Sequence, residues 1–144
     1  MTTSSVAHGD LIEALDAQCE DYQAMHHEGV LQRDCLRGDD LTGLNAATGR
    51  MRVLMDRVRM RQASMPTDLA LVGRTCPQVA QRTECLRQTI QRVLDLRDQS
   101  EATASALLAD TRRQLQQVGA GRRASRGYRR QPNLQEARFV DNVR

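Results

Sequence analysis

The sequence predicts an all-α fold: an elongated antiparallel helical hairpin or three-helix bundle with coiled-coil-like packing and a flexible C-terminal tail. Proline occurs only three times, and none interrupts the long helix-favouring stretches. Three aromatic residues and a mean hydropathy of −0.59 leave too little apolar bulk for a wide globular core. Apolar residues recur instead in alternating steps of four and three, as in helices with one apolar seam. We therefore expect a helical bundle over residues 1–118 and an Arg-rich tail over residues 119–144.

The first helix is expected over about residues 10–37. Asp10 and Glu13 form a capping pair around Leu11, because an Asp side chain can accept free backbone N–H groups while Glu13 reaches back. Gly38 is expected to end the helix in the left-handed conformation. The apolar stripe of this helix comprises Leu11, Leu15, Gln18, Tyr22, Met25, Gly29, Gln32 and Leu36.

The second helix is expected over about residues 40–65, with an Asp as its cap. Because the connection is so short, the two helices should run antiparallel. Residues 1–40 hold nine acidic and two basic residues, whereas residues 41–65 hold five arginines and one acid, so opposite charges should flank the seam. The second stripe comprises Leu41, Leu44, Thr48, Met51, Met55, Val58, Gln62 and Met65.

The third helix is expected over about residues 77–118. Pro66 closes the second helix, residues 67–76 form a connection that could include a short turn of helix, and Thr75 precedes Pro77 as a second capping pattern. The seam comprises Val79, Thr83, Leu86, Ile90, Val93, Arg97, Ser100, Ala104, Leu107, Thr111, Leu115 and Val118.

The far end of the third helix is the predicted binding surface. At about 1.5 Å per residue this helix would reach roughly 60 Å and the others roughly 40 Å, so it should outrun the hairpin. Exposed apolar strips mark helix-in-groove or coiled-coil contacts. The candidate substrate- or partner-binding residues are Leu107, Leu108, Leu115 and Val118.

The Arg-rich tail, residues 119–144, has almost no apolar surface to bury, and we expect it to be disordered when free. Tyr128, flanked by arginines, is a candidate docking residue, and Phe139 is a candidate anchor. Arginines could also contact nucleic-acid phosphates while Tyr128 stacks on a base. The presence of only one tyrosine in the tail, together with the acidic first helix, argues against nucleic acid as a partner.

The chain shows no constellation that would make it an enzyme. His26, His27 and Cys19 share one helix, but no pair of ligands has zinc-site spacing, and no nucleophile motif or phosphate-binding loop occurs. We expect no catalytic residues, no metal and no cofactor. No long apolar run or signal peptide is present, and the four widely spaced cysteines fit a reducing compartment, so we expect a cytoplasmic location without membrane insertion.

The methionines leave two interpretations open. Met51, Met55 and Met65 occupy seam positions, which favours plain core filling. Flexible thioethers also make adaptable surfaces for helical partners, and both roles are compatible if the bundle opens.

The chain resembles the FlgN family of flagellar type III export chaperones over roughly residues 11–141. The similar segments are Leu31-Gln-Arg-Asp-Cys-Leu-Arg-Gly-Asp-Asp-Leu41, Val58-Arg-Met-Arg61, residues 94–108, Gly127-Tyr-Arg-Arg130 and Ala137-Arg-Phe-Val-Asp141.

This resemblance implies an antiparallel helical bundle whose third helix and tail bind the amphipathic terminal helices of secreted substrates, the hook–filament junction proteins. It also implies that the tail tyrosine, here Tyr128, docks to the export gate. An alternative from a different class is a structural or regulatory coiled-coil protein that forms a homo-oligomer through its third helix, with the basic tail binding RNA or an acidic surface.

Overall fold

The computed structural model describes residues 2–130, and every regular element in that range is an α-helix. The helices are α1 (Thr2–Arg37), α2 (Leu41–Ala63), α3 (Leu69–Thr75) and α4 (Pro77–Arg130). The all-α prediction is confirmed. The residues form two units, Met1–Ala104 and Ser105–Arg144, with the division inside α4. Within residues 2–130, no helix combines the length and the apolar character that crossing a membrane requires.

The first helix begins at Thr2, earlier than the predicted start near Asp10. Residues 2–9 contain no proline, so nothing prevents backbone hydrogen bonds from continuing in the N-terminal direction. A capping pair favours a helix start but does not impose one. The end of α1 at Arg37 agrees with the prediction.

The turn between α1 and α2 uses a different left-handed residue from the one predicted. Asp39 has φ 53°, and no described glycine has a positive φ, so the prediction for Gly38 is wrong. The Gly38 N–H donates to Asp34 O at 3.0 Å and the Asp40 N–H to Cys35 O at 2.9 Å, which moves the left-handed position one residue along the chain. Aspartate tolerates this conformation better than most side chains.

Side-chain caps mark the starts of α2 and α3. Asp40 Oδ1 accepts from the Gly43 N–H at 2.9 Å, and Asp68 Oδ1 accepts from the Leu71 N–H at 3.1 Å, so aspartates cap α2 and α3. The predicted cap at Thr75 is wrong. Its hydroxyl donates backwards to Val72 O at 3.0 Å, and Cys76 is the residue that precedes α4.

The hydrophobic core of residues 1–104 is formed mainly by α1 and α4. Leu15 and Val79 are fully buried, and Leu11 and Leu86 complete the central cluster. Partly buried residues from α1, α3, α4 and the connections on either side of α3 pack against this cluster: Ile12, Cys19, Tyr22, Met65, Leu69, Val72, Cys76 and Ile90. The predicted stripe of α1 is therefore the buried face of that helix.

In α4 the buried face departs from the predicted seam. Leu96 is 6% exposed and Thr89 is 7% exposed, whereas the side chain of Arg97, predicted to lie in the seam, is 64% exposed. Burying a guanidinium without a partner is unfavourable, so the helix turns the neighbouring leucine inward.

The fourth helix continues to Arg130 instead of ending near Val118. Residues 119–130 were expected to be disordered. Arginine and alanine favour helix, which offsets a penalty of about 1 kcal/mol for each glycine. Arg123 Nε also donates to Gly119 O at 3.4 Å, which supports this stretch. The remainder of the predicted tail, residues 131–144, lies outside the described residues.

Candidate partner-binding surfaces

A buried polar cluster fixes the pairing of α1 with α2. Asp21 is 4% exposed, and its carboxylate accepts from Arg57 Nη2 at 2.6 Å and from Arg61 Nη1 at 2.8 Å. Arg61 Nη1 also donates to Gln18 Oε1 at 2.8 Å, while Gln18 Nε2 donates to Val58 O at 3.2 Å. Every polar group of Asp21 is thereby satisfied, so the cluster sets the register of the two helices.

This cluster was not predicted from the sequence, although a signal for it was present. Asp21 stands three residues after Gln18 and four before Met25, which places it on the buried side of α1. The general expectation of opposite charges along this seam is confirmed, since Glu28 Oε1 also accepts from Arg50 Nε at 2.9 Å.

An apolar groove of about 600 Å³ lies among α1, α2 and α4 within residues 1–104. Met25, Met51 and Met55 line it together with aliphatic side chains of α4, and flexible thioethers of this kind can adapt to the apolar side chains of a helical partner. Burial raises the pKa of Tyr22 above its ordinary value, so the phenol at this surface stays neutral. The aliphatic residues that line the groove are Leu36, Leu44, Ile90, Val93, Leu94, Leu96 and Ala104.

The four predicted binding residues lie exposed in the unit that begins at Ser105. Leu107, Leu108, Leu115 and Val118 are 38%, 52%, 67% and 53% exposed. We call these four residues the α4 strip. At about 100° per residue they fall within an arc of about 100° on the helix: Leu107 and Leu108, which are adjacent in sequence, mark its two edges, and Leu115 and Val118 lie between them.

Arginines surround and extend the α4 strip. Arg122 and Arg126 follow Val118 at spacings of four and eight, which continues the same face. Asp110 is the one acid in residues 105–130, and its carboxylate lies 3.5 Å from Arg113 Nη2. The face therefore offers an apolar stretch followed by two positive charges, a pattern that complements an amphipathic helix with acidic residues toward one end.

The remaining candidates are placed as follows. Tyr128 is a residue of α4, two positions before the end of the helix, and Phe139 lies outside the described residues. Leu107, Leu108, Leu115 and Val118 come together on one helix face, whereas Tyr128 is two residues beyond Arg126 on that helix. Within residues 2–130, no three His, Cys, Asp or Glu side chains are grouped in a way that could hold a metal ion.

The chain matches no protein-family model, and neither the curated proteins nor the solved structures contain a match to it. The function must therefore be argued from the surfaces themselves.

Proposed function

We propose that this chain is a cytoplasmic, non-enzymatic export chaperone of the flagellar type III pathway. In this proposal it binds the amphipathic terminal helices of hook–filament junction-type substrates and delivers them to the export apparatus. The observation that carries the proposal is the α4 strip, four large apolar side chains exposed on one face of a helix. Such a face offers a second helix the contacts that a coiled-coil seam provides.

The expected strength of this contact suits a carrier that must release its cargo. Full burial of one exposed leucine or valine contributes about 1.5–3 kcal/mol. The four side chains are already partly covered, so a partner helix gains less than that from each of them. Ordering the partner helix opposes the gain further. The balance favours moderate, reversible binding.

The arginines of α4 indicate which partner helices are preferred. Arg122 and Arg126 would lie beside the end of a bound helix, where acidic side chains gain from their charge. Tyr128 is proposed as the docking residue for the export gate, and Phe139 as an anchor in the tail. The role of Tyr128 comes from the family resemblance, and that of Phe139 comes from its being an aromatic residue in the Arg-rich tail. Both are separate from the α4 strip.

The apolar groove of residues 1–104 is a second surface with suitable chemistry for the same kind of partner. Met55, 38% exposed, is the most accessible of the three methionines that line the groove, so Met55→Glu would place a charge there. If that variant lost substrate while Leu108→Asp kept it, the groove would be the binding site and the strip would not.

The proposal is tested by affinity capture from the cytosol of flagellated bacteria. The full chain and a chain ending at Val118 serve as baits, and the captured proteins are identified by mass spectrometry. We expect the full chain to recover hook–filament junction proteins. If the shortened chain also recovers these proteins, substrate binding lies within residues 1–118, and the tail acts later, in delivery to the export apparatus. Capture of RNA-associated proteins, or of the chain alone, would contradict the chaperone function.

One observation favours the alternative, a self-associating coiled-coil protein whose basic segment binds RNA or an acidic surface. Residues 105–130 contain seven arginines and the single acid Asp110. The salt dependence of binding affinity distinguishes the two functions. Binding driven by phosphate contacts should weaken steeply between low and moderate salt, whereas apolar helix capture should change little.

A further inference from the structure

Two thiols from different helices meet at the surface of residues 1–104. Cys19 Sγ of α1 lies 3.8 Å from Cys85 Sγ of α4. Cys85 is exposed, while Cys19 is half-buried and packs against the hydrophobic core cluster. The other two cysteines lie elsewhere. Cys35 Sγ is 3.8 Å from Asp40 Oδ2, and Cys76, between α3 and α4, packs against the core.

The two sulfur atoms need to move only slightly to form a disulfide bond. A disulfide has an S–S distance of about 2.05 Å, so each sulfur must shift by roughly 0.9 Å, which side-chain rotation can supply. Cys19 Sγ also lies 3.6 Å from Thr89 Oγ1 and 3.8 Å from Gln23 Nε2, so polar groups surround the less exposed sulfur.

The space beside the thiols admits a small oxidant. A shallow cavity of about 300 Å³ is lined by Asp16, Cys19, Gln81, Arg82 and Cys85. Arg82 Nε lies 3.3 Å from Asp16 Oδ1, so this charged pair forms part of the rim. Hydrogen peroxide is small and polar enough to reach Cys85 by this route.

We propose that Cys19 and Cys85 are a site of reversible oxidation, at which a peroxide converts the two thiols into an intramolecular disulfide that joins α1 to α4. Cys85 reacts first because it is the exposed sulfur. Its thiolate attacks one peroxide oxygen, the O–O bond breaks, and hydroxide leaves and takes up a proton to become water.

The resulting Cys85 sulfenic acid then reacts with its neighbour. Cys19 sulfur attacks Cys85 sulfur, the S–S bond forms, and the hydroxyl group leaves with the Cys19 proton as a second water. The two thiols lose two electrons in total, and these reduce one peroxide to two waters. A dithiol reductant restores both thiols by exchange through a mixed disulfide. The site is independent of the proposed export role.

The neighbourhood of Cys85 sets the pH dependence of the first step. The hydrogen bond with Cys19 raises the pKa of Cys85 above its ordinary value, and the charge of Cys19, burial and Asp16 act in the same direction. Arg92 opposes them. Arg82, the other charged group at the cavity, is paired with Asp16. Only the thiolate reacts, so oxidation should become faster as the pH rises toward this raised pKa.

The bond should also stabilise the helices that it joins. Cys19 and Cys85 are 66 residues apart in sequence, and a cross-link over so long a loop removes much of the conformational freedom of the unfolded chain. The oxidised full chain should therefore unfold at a higher temperature than the reduced chain.

The test uses the reduced full chain, treated with a small excess of hydrogen peroxide at low protein concentration and then with a maleimide that labels free thiols. We expect a monomer with two unlabelled cysteines, a linked peptide containing Cys19 and Cys85, and an increased Tm that a dithiol reductant reverses. Cys85→Ser should abolish the protection of two cysteines from the maleimide, the linked peptide and the increase in Tm. The control Cys35→Ser should retain all three effects. Linkage through Cys35 or Cys76, intermolecular dimers, or Cys85 oxidised to sulfinic acid with Cys19 still free would overturn the proposal.

Discussion

Leu96 of α4 packs into the space that Gly29 of α1 leaves by having no side chain. A Cβ atom built on Gly29 would lie 2.8 Å from Leu96 Cδ2, closer than carbon atoms in contact normally approach. Leu96 is 6% exposed, so its side chain has little room to move away. Gly29 thus weakens the local helix propensity of α1 but permits the close approach of α4.

This contact predicts that Gly29→Val destabilises the protein. The larger side chain must displace Leu96 or separate the helices, and overpacking of this kind costs about 1–3 kcal/mol. The midpoint of urea unfolding, followed by circular dichroism, should decrease accordingly.

Gly49 of α2 provides the matched control. It also lies inside a helix, but a Cβ built on it meets nothing within 4 Å. Gly49→Ala should therefore stabilise the protein by about 0.5–1 kcal/mol, the ordinary gain in helix propensity. If Gly29→Val and Gly49→Ala shifted the midpoint in the same direction, the close packing of Gly29 against Leu96 would be refuted.

The buried cluster around Asp21 predicts a different kind of loss. Asp21→Ala removes the acceptor of Arg57 and Arg61, and Arg61, with its side chain 23% exposed, cannot recover full hydration. We expect the free energy of unfolding to fall by about 1–3 kcal/mol. The measurement is again a urea titration.

Asp16 is the comparison for Asp21 on the same helix. Its side chain is 53% exposed and pairs with Arg82 at 3.3 Å, so Asp16→Ala should change the stability by less than about 1 kcal/mol. Equal losses in the two variants would mean that the Asp21 cluster does not hold α1 and α2 in register.

The buried face of α1 could be predicted from the sequence, whereas that of α4 could be predicted only in part. In α1, Leu11, Leu15 and Met25 lie on a regular repeat and are buried as expected. In α4, the predicted seam includes Arg97, but Leu96 is buried instead. A straight helix drifts by about 20° per heptad relative to a seven-residue repeat, so over several turns neighbouring positions compete and the cost of burying charge decides.

Helix ends were less predictable than helix faces because end signals are weak. Gly38 was expected to take the left-handed conformation, but Asp39 takes it. The glycines after Val118 were expected to end α4, but the helix continues to Arg130. Each such residue changes the local free energy by only about 1 kcal/mol, which neighbouring hydrogen bonds can outweigh.

The proposed docking role of Tyr128 predicts a separation of binding from delivery. Tyr128→Ala leaves the α4 strip unchanged in sequence, so binding of a hook–filament junction-type substrate should be retained. Export of that substrate by flagellated cells should decrease, because the docking contact is lost. Phe replacing Tyr128 tests whether the hydroxyl group is needed. Normal export by Tyr128→Ala would remove this residue from the proposed docking site.

The most direct test of the central claim is the Kd between the full chain and a purified hook–filament junction-type substrate, measured for Leu108→Asp and for Leu71→Asp. Leu108 is 52% exposed and Leu71 is 56% exposed. The two substitutions therefore change almost equally exposed leucines in different parts of the chain. We predict that Leu108→Asp, with unchanged helicity, raises Kd about tenfold or more, because the contact loses the apolar burial of a half-exposed leucine and gains a charge that binding would remove from water, while Leu71→Asp leaves Kd unchanged. Unchanged binding by Leu108→Asp, or equal weakening by both variants, would contradict the assignment of the α4 strip as the substrate-binding surface.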